Sequence, residues 1–270
     1  MRLFTHMMQE KDDTIAIQSA LLRSLQTFFH EHEFHQLLPL SSPILSPIKG
    51  DVKAWDLNNK ISQTMMLQHI VSHNHSRVFA ITSEACLEKS EQNVSFPCSK
   101  LDFEIRDASS DDVMMLIEDM ICFTFREIIQ NETNVLRSLR RRIQIPITPF
   151  TAFHANEARA MLGPEFQRIL SERNSQPFWI INNEDPFTRQ DKETGHLQNF
   201  ILLFPEGYGS AIVGGERAWD KDLIMSRLKV SKAFRALSKD DSPQPTAGGT
   251  LCLQRMVKFL CGESQHHSIN

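Results

Sequence analysis

The chain has 270 residues and a formal net charge of −4, with 41% hydrophobic and 23% charged residues. This length can bury a sizeable core, in one large domain or two small ones, and the composition is ordinary for a globular protein. The slight negative charge argues against a general nucleic-acid binder, because such proteins present a strongly basic surface to the phosphate backbone.

The first predicted element is an amphipathic helix over residues 11–36, which places Ile17, Leu21 and Leu25 at helical spacing. His32 and His35 lie one turn apart near its end, but no third ligand can be assigned, so we predict no metal site. A stretch at 37–51 follows; its three prolines are incompatible with a helix, so it should be extended or irregular.

Two strands are predicted next, RVFAI at 77–81 and KLDFEI at 100–105, where apolar and acidic residues alternate in the second. The remaining predicted elements are a helix at 113–130 capped within 109–112, a short helix at 154–162, strands at 177–182, 199–205 and 209–215, a helix at 220–237, and a strand turning into a closing helix at 247–262. Strands and helices do not alternate regularly, and no glycine-rich phosphate loop follows a strand. The sequence therefore predicts an α+β fold with a largely antiparallel sheet.

The only basic run in the chain is RSLRRR, residues 137 to 142. It follows a helical pattern, so we interpret it as a solvated helix end, with a phosphate contact as the second interpretation. The five cysteines form no CxxC pair, and an odd number is typical of a reducing compartment. No signal peptide and no membrane-spanning run is apparent, which predicts a cytoplasmic protein without a membrane partner.

The order of these segments resembles the catalytic core of class II aminoacyl-tRNA synthetases, in the asparaginyl/aspartyl branch. The helix at 11–36 with LLPLSSP resembles the first family motif, RVFAITSEACLEKSEQN the second, GSAIVGGERAWD the Gly-Gly-x-Arg segment, and PTAGGTLCLQRMVKFLCG the third. The resemblance implies one catalytic domain over 1–270, with a central, mostly antiparallel sheet flanked by helices. The chain reaches the core helix within about a dozen residues, so we expect no anticodon-binding domain and no anticodon recognition.

The resemblance further implies a homodimer built through residues 11 to 47. The family interface pairs the proline-bearing arm with its twofold mate. An apolar helix beside that arm would otherwise lie exposed, which supports the same expectation.

The ATP site implied by the resemblance is degraded. Cys86 stands where the second-motif arginine of the family grips the α-phosphate, and a thiol cannot supply a charged bidentate fork. Ser210 stands at the position of the metal-binding glutamate, while Glu88 and Arg255 keep residues of the nucleotide site. We expect weak or no ATP binding and no cofactor, with ATP and magnesium used only if the chain is a ligase.

The amino-acid side of the site is better preserved. Asp102 and Glu104 match the family's Leu-Asp-x-Glu, which faces the substrate's amino group, and Gln63 matches a Ser-Pro-Gln-Leu segment. Arg217 matches the arginine that binds the side-chain carboxylate or amide. We expect Arg217 to face the two acidic residues across a cleft, and its removal to weaken ligand binding while leaving the melting temperature nearly unchanged.

Three functions are compatible with this pattern. The first is a repurposed enzyme of small-molecule metabolism, such as a specialised biosynthetic step, that binds an amino-acid-like substrate with His69 or Cys86 as acid/base or nucleophile. The second is an ATP-dependent ligase resembling asparagine synthetase, and the third is a non-catalytic regulatory paralog. The lost nucleotide residues favour the first and third, and the surviving polar pocket favours the first over the third.

Overall fold

The computed structural model describes residues 2–38, 67, 71, 75–86, 96–183, 188–218 and 245–263. The strands are β1 (His35–Leu37), β2 (Arg77–Cys86), β3 (Phe96–Arg106), β4 (Ala152–His154), β5 (Phe178–Ile181), β6 (Asn199–Phe204), β7 (Gly209–Glu216) and β8 (Thr246–Cys252). The helices within these ranges are α1 (Arg2–Glu31), α2 (Ser110–Asn131), α3 (Thr133–Ser138), α4 (Ala155–Leu162), α5 (Phe166–Arg173) and α6 (Leu253–Cys261).

The eight strands form one sheet in the order β1-β2-β3-β8-β7-β6-β5-β4. Neighbouring strands are antiparallel except for the pairs β1–β2 and β4–β5 at the two edges. Helices flank the sheet, so the predicted α+β fold with a mostly antiparallel sheet is confirmed. Within the described ranges, no helix has the length and apolar character needed to cross a membrane.

One face of the sheet, which we call the helix face, carries the main core. Leu101 and Phe103 of β3, with Ile212 of β7 and Leu251 of β8, are buried there against α1, α2 and α6. The alternation of β3 places its apolar side chains on this face and its acidic ones on the other, as predicted. We call that second face the cleft face.

The predicted cap of α2 is confirmed in atomic detail. The backbone N–H of Asp112 donates to Ser109 Oγ at 3.2 Å, and the backbone N–H of Ser109 donates to Asp112 Oδ2 at 2.9 Å. These two bonds close a reciprocal capping box, which satisfies donors that a helix start leaves unpaired. The hydrogen bonds from Ser109 lower the pKa of the Asp112 carboxyl group below its ordinary value.

Helix α1 ends five residues earlier than predicted. Glu33 adopts a left-handed backbone with φ of 63°, and the chain then forms β1, which pairs in parallel with β2. A parallel pairing between distant segments cannot be seen in helical periodicity, so the predicted end at residue 36 is wrong. The apolar face of α1 is buried within the chain, so the expectation that this helix would lie exposed without a partner is also wrong.

Besides β1, three short elements were not predicted: α3, α5 and β4. Their three to eight residues give a periodic pattern little length in which to stand out, although α4, as long as α5, was predicted. Strand β2 is longer than predicted, because it continues through the polar residues as far as Cys86. The predicted helix at 220–237 and most of the proline-rich stretch at 37–51 lie outside the described residues.

Candidate substrate-binding cleft

The centre of the cleft face is lined by polar side chains between two apolar covers. On one side Leu67 and Val71 pack on Val78 and Ala80 of β2. On the other side α4 and α5 pack on β5 and β6, with Phe166 among the buried residues. The strands β3, β8 and β7 between these covers therefore form the floor of a cleft, which we call the substrate cleft.

Glu104 is the most deeply buried charged group in this floor, with 1% of its side chain exposed. Arg217 Nε donates to both carboxylate oxygens at 3.1 Å, and Arg217 Nη2 donates to Oε2 at 3.0 Å. Thr246 Oγ1 donates to Oε1 at 2.7 Å. A charge removed from water needs such partners, because an unpaired buried carboxylate costs several kcal/mol.

Gly248 leaves room for the Glu104 side of this ion pair. Gly248 of β8 pairs with Glu104 of β3 on one side and with Gly215 of β7 on the other. A Cβ atom at position 248 would overlap the carbonyl oxygen of Phe103 and Oε2 of Glu104. The absence of a side chain at Gly248 therefore allows the Glu104 side chain of β3 to lie against the backbone of β8, the middle strand.

Asp102 lies two residues before Glu104 and on the same face of β3. Its carboxylate accepts hydrogen bonds from Thr250 Oγ1 and, at 3.4 Å, from Thr82 Oγ1. Asp102, Thr250 and Val213 are direct neighbours across three strands. Val213 is 40% exposed, so solvent reaches the sheet at this point and the floor is open beside Asp102.

Glu216, the residue before Arg217, holds the end of β7 from the helix face of the sheet. Glu216 accepts a hydrogen bond from the backbone N–H of Ser110, the first residue of α2, at 3.2 Å. Arg189 Nη1 donates to Glu216 Oε2 at 2.6 Å. The backbone N–H of Arg217 donates to the carbonyl of Thr246 at 2.9 Å. The end of β7 is thus held on both faces, which orients the Arg217 guanidinium toward Glu104.

Sequence reasoning missed Thr246, Arg189 and the role of Glu216. For Glu216 the signal was weak, because a glutamate beside an arginine in a strand does not show which helix end it will contact. Thr246 and Arg189 lie 142 and 27 residues from their carboxylate partners, so their roles depend on the sheet order.

The structure brings three of the predicted site residues together: Asp102, Glu104 and Arg217. It differs from the prediction in one respect, because Arg217 does not face Glu104 across an open gap but touches it as an ion pair. We therefore revise the expectation that Arg217 can be removed without loss of stability: its loss would leave the buried Glu104 carboxylate without its charged partner, so we now expect a loss. Ligand binding by these three residues stays a prediction.

Of the other predicted site residues, the structure describes Arg255 and Cys86, and neither is part of this cluster. Arg255 of α6 donates from Nη1 to the carbonyl of Ser210 at 2.9 Å, near the other end of β7, on the order of 20 Å along the strand from Arg217. Cys86 is the last residue of β2 and pairs with Phe96. Gln63, His69 and Glu88 lie outside the described residues.

No cluster of three or more histidine, cysteine, aspartate or glutamate side chains that could hold a metal is present in the part of the chain that the structure describes. His32, considered above as a ligand, donates from Nδ1 to the carbonyl of Phe28 at 2.8 Å and stacks on the Phe28 ring. Its role in this structure is therefore packing at the end of α1.

Comparison with known proteins identifies the family of this chain. The family model of class II tRNA synthetases (D, K and N) matches residues 1–269. The asparagine--tRNA ligases of Desulforamulus reducens and Pelotomaculum thermopropionicum are each 23% identical over 92% of this chain. The chain spans 65% of the length of these curated relatives.

Solved structures show the same fold at low sequence identity. The crystal structure of asparaginyl-tRNA synthetase from Pyrococcus horikoshii complexed with asparaginyl-adenylate matches with a TM-score of 0.77 and 17% identity, over 94% of this chain and 66% of that chain. Aspartyl tRNA synthetase from Entamoeba histolytica matches with a TM-score of 0.71 and 17% identity, over 93% of this chain and 56% of that one. The chain belongs to the class II tRNA synthetase family (D, K and N), and within it resembles the asparaginyl/aspartyl branch.

Proposed function

We propose that this chain binds an amino acid of the asparagine/aspartate class in the substrate cleft and acts on it in small-molecule metabolism, without charging tRNA. The observation that carries the proposal is the buried Glu104–Arg217 ion pair with Asp102 beside it. Residues two apart on a strand lie about 7 Å from each other, which is the length of a small amino acid. The relatives named as asparagine--tRNA ligases support the same ligand class.

The ion pair favours an amide side chain over a carboxylate. Glu104 already neutralises the Arg217 guanidinium, so a second carboxylate at this position would meet the negative charge of Glu104. An amide can donate to one partner and accept from the other without a net charge. We therefore expect asparagine to bind more tightly than aspartate, with Asp102 accepting from the amino group of the ligand.

The proposal includes a weakened ATP site. A cysteine ends β2 where the resemblance places the arginine for the α-phosphate, and no thiol supplies a fork of charged donors. Ser210 stands at the metal-binding position, where it offers a hydroxyl in place of the carboxylate that a magnesium site uses, so this position does not fit a magnesium ligand. His69 and Cys86 remain the candidate catalytic residues of the repurposed enzyme.

A ligase is the second candidate, and Arg255 is the observation that favours it. Its guanidinium is held in place by the Ser210 carbonyl at the start of β7, on an element that the resemblance assigns to the nucleotide site. In this alternative ATP and magnesium would be used to form an amide or an activated amino acid.

Titration calorimetry with asparagine, aspartate and ATP, each alone, tests the proposal. Asparagine should bind, aspartate should bind roughly tenfold more weakly, and ATP should give little or no heat. Asp102→Asn should weaken asparagine binding by about tenfold or more, because it removes a charged acceptor for an amino group. Asp107→Asn is the matched control. Asp107 lies directly after β3 and has a φ of 57°, which asparagine adopts readily.

The other outcomes separate the alternatives. Exchange of pyrophosphate into ATP in the presence of asparagine or aspartate would replace the proposal by the ligase. If neither amino acid binds, the non-catalytic regulatory paralog becomes the better description. Equal losses in Asp102→Asn and Asp107→Asn would place the binding site elsewhere.

We also propose that the chain forms a homodimer through residues 11 to 47, of which residues 11–38 are described. Ile15 is 62% exposed and Leu38 is 85% exposed on this segment, although the main apolar face of α1 is covered within the chain. Light scattering in solution should give a mass of twice 31.0 kDa. A mass of one chain at micromolar concentration would refute the dimer and leave the proposed ligand unaffected.

A further inference from the structure

A second cavity lies on the helix face of the sheet, away from the substrate cleft. Its volume is about 240 Å³, and it opens between the segment after α3, the turn before β5 and the end of β6. Phe125 of α2 and Phe259 of α6 contribute to its inner wall. The basic run at 137–142 supplies two of its lining residues, Arg141 and Arg142, so we call it the arginine cavity.

Three prolines give the arginine cavity rigid walls. Pro146, Pro177 and Pro205 line it from three different segments of the chain. Proline fixes its own φ and carries no backbone N–H, so these walls lose little freedom when a ligand binds. The cavity is therefore shaped before binding rather than assembled by it.

Arg141 is used to build the cavity wall. Its Nη1 donates to Glu206 Oε2 at 2.7 Å, and its guanidinium carbon lies 4.8 Å from the centre of the Phe259 ring. Only 13% of this side chain is exposed. The Glu206 carboxylate is the one acidic group among the lining residues, and it is paired with Arg141.

Arg142 is the second cation of the wall, and its environment differs from that of Arg141. Its side chain is exposed, and in the described part of the chain no carboxylate lies within ion-pair distance of it. Two arginines and one glutamate line the cavity, which leaves one net positive charge, and that charge is carried by Arg142. An unpaired arginine at the mouth of a preformed cavity attracts anions.

Neutral donors also line the arginine cavity. Gln176 Oε1 accepts from the backbone N–H of Ile147 at 2.9 Å, which leaves its amide N–H₂ as a donor. Ser175 and Gln144 also line the cavity. A guanidinium, an amide and a hydroxyl that line one cavity are donor types that bind oxyanions.

We propose that the arginine cavity binds a small oxyanion, either inorganic phosphate or the phosphate group of a small metabolite, with Arg142 as the charged ligand and Gln176 and Ser175 as neutral donors. The volume accommodates one phosphate group with a short organic substituent. This site is independent of the proposed amino-acid site, because it lies on the opposite face of the sheet. It favours the second interpretation of the basic run for Arg142.

The test uses inorganic phosphate and glycerol 3-phosphate as probes at constant ionic strength, with chloride as the reference anion. Phosphate should raise the melting temperature of the wild-type chain, and ³¹P NMR should show line broadening of the probe. Arg142→Gln should weaken phosphate binding roughly tenfold, because a charge-assisted hydrogen bond is replaced by a neutral one. Glycerol 3-phosphate binding more tightly than inorganic phosphate would identify a metabolite as the source of the anion.

Arg137→Gln is the matched control for this substitution. Arg137 belongs to the same basic run, is exposed and donates to Asn134, but does not line the cavity. It should leave phosphate binding unchanged. The proposal is overturned if wild type shows no phosphate effect, if Arg137→Gln weakens binding as much as Arg142→Gln, or if Arg142→Gln binds phosphate as tightly as wild type.

Discussion

Replacing Arg217 by methionine should lower the free energy of unfolding by roughly 3–5 kcal/mol, the loss typical of breaking a buried ion pair from one side. Methionine keeps much of the side-chain length but leaves the Glu104 carboxylate, 1% exposed, with Thr246 as its remaining hydrogen-bond partner among those described here. Urea denaturation followed by circular dichroism measures this change.

The neighbouring Arg189–Glu216 pair provides the matched control. Arg189 is 47% exposed, and its partner Glu216, 11% exposed, keeps the hydrogen bond from the Ser110 N–H, so replacing Arg189 by methionine should cost clearly less than replacing Arg217. The double variant Glu104→Gln with Arg217→Met should lose less stability than the sum of the losses in the two single variants, because glutamine leaves no unpaired buried charge. Equal losses in Arg217→Met and Arg189→Met would contradict a buried, energetically important pair.

Replacing Gly248 by alanine should destabilise the fold by about 3 kcal/mol or more, at or above the upper end of the range for overpacked cores. The added methyl group would overlap the Phe103 carbonyl and the Glu104 carboxylate, and the first of these is backbone that cannot rotate away. The thermal midpoint of unfolding and the yield of folded protein report the effect.

Gly249 is the control for this substitution because it lies next along the same strand. An added Cβ there would be 3.2 Å from the Val213 carbonyl and 3.3 Å from the Phe103 ring, contacts that small shifts can relieve. Gly249→Ala should therefore lose clearly less stability than Gly248→Ala. If both variants are equally stable, the close approach of Glu104 to β8 does not constrain the fold.

These two predictions concern one structural unit. The room left by Gly248 allows the Glu104 side chain to lie against β8. In that position Arg217, which directly follows β7, can contact the Glu104 carboxylate. A change at any of the three positions should disturb the other two, because they are in contact. The floor of the substrate cleft is for this reason a rigid surface, and preorganised polar groups of this kind bind a ligand at low entropic cost.

Local sequence patterns determined the elements that are long or carry their own end signals. Period-two alternation assigned the two faces of β3, and the capping box at Ser109 set the start of α2. Gly262, with φ of 74°, ends α6 as a left-handed cap. The family resemblance, which rests on the order of the segments, added the prediction that Asp102, Glu104 and Arg217 are site residues.

Only the tertiary structure decided how these residues meet. Glu104 and Arg217 are 113 residues apart, and their direct contact follows from β8 and its glycine lying between their strands. The early end of α1 depends on a parallel pairing with β2, and the arginine cavity depends on three prolines from distant segments. Sequence patterns reflect neighbours within one helix or strand, whereas these contacts depend on sheet order and on the space left between side chains, which no local pattern encodes.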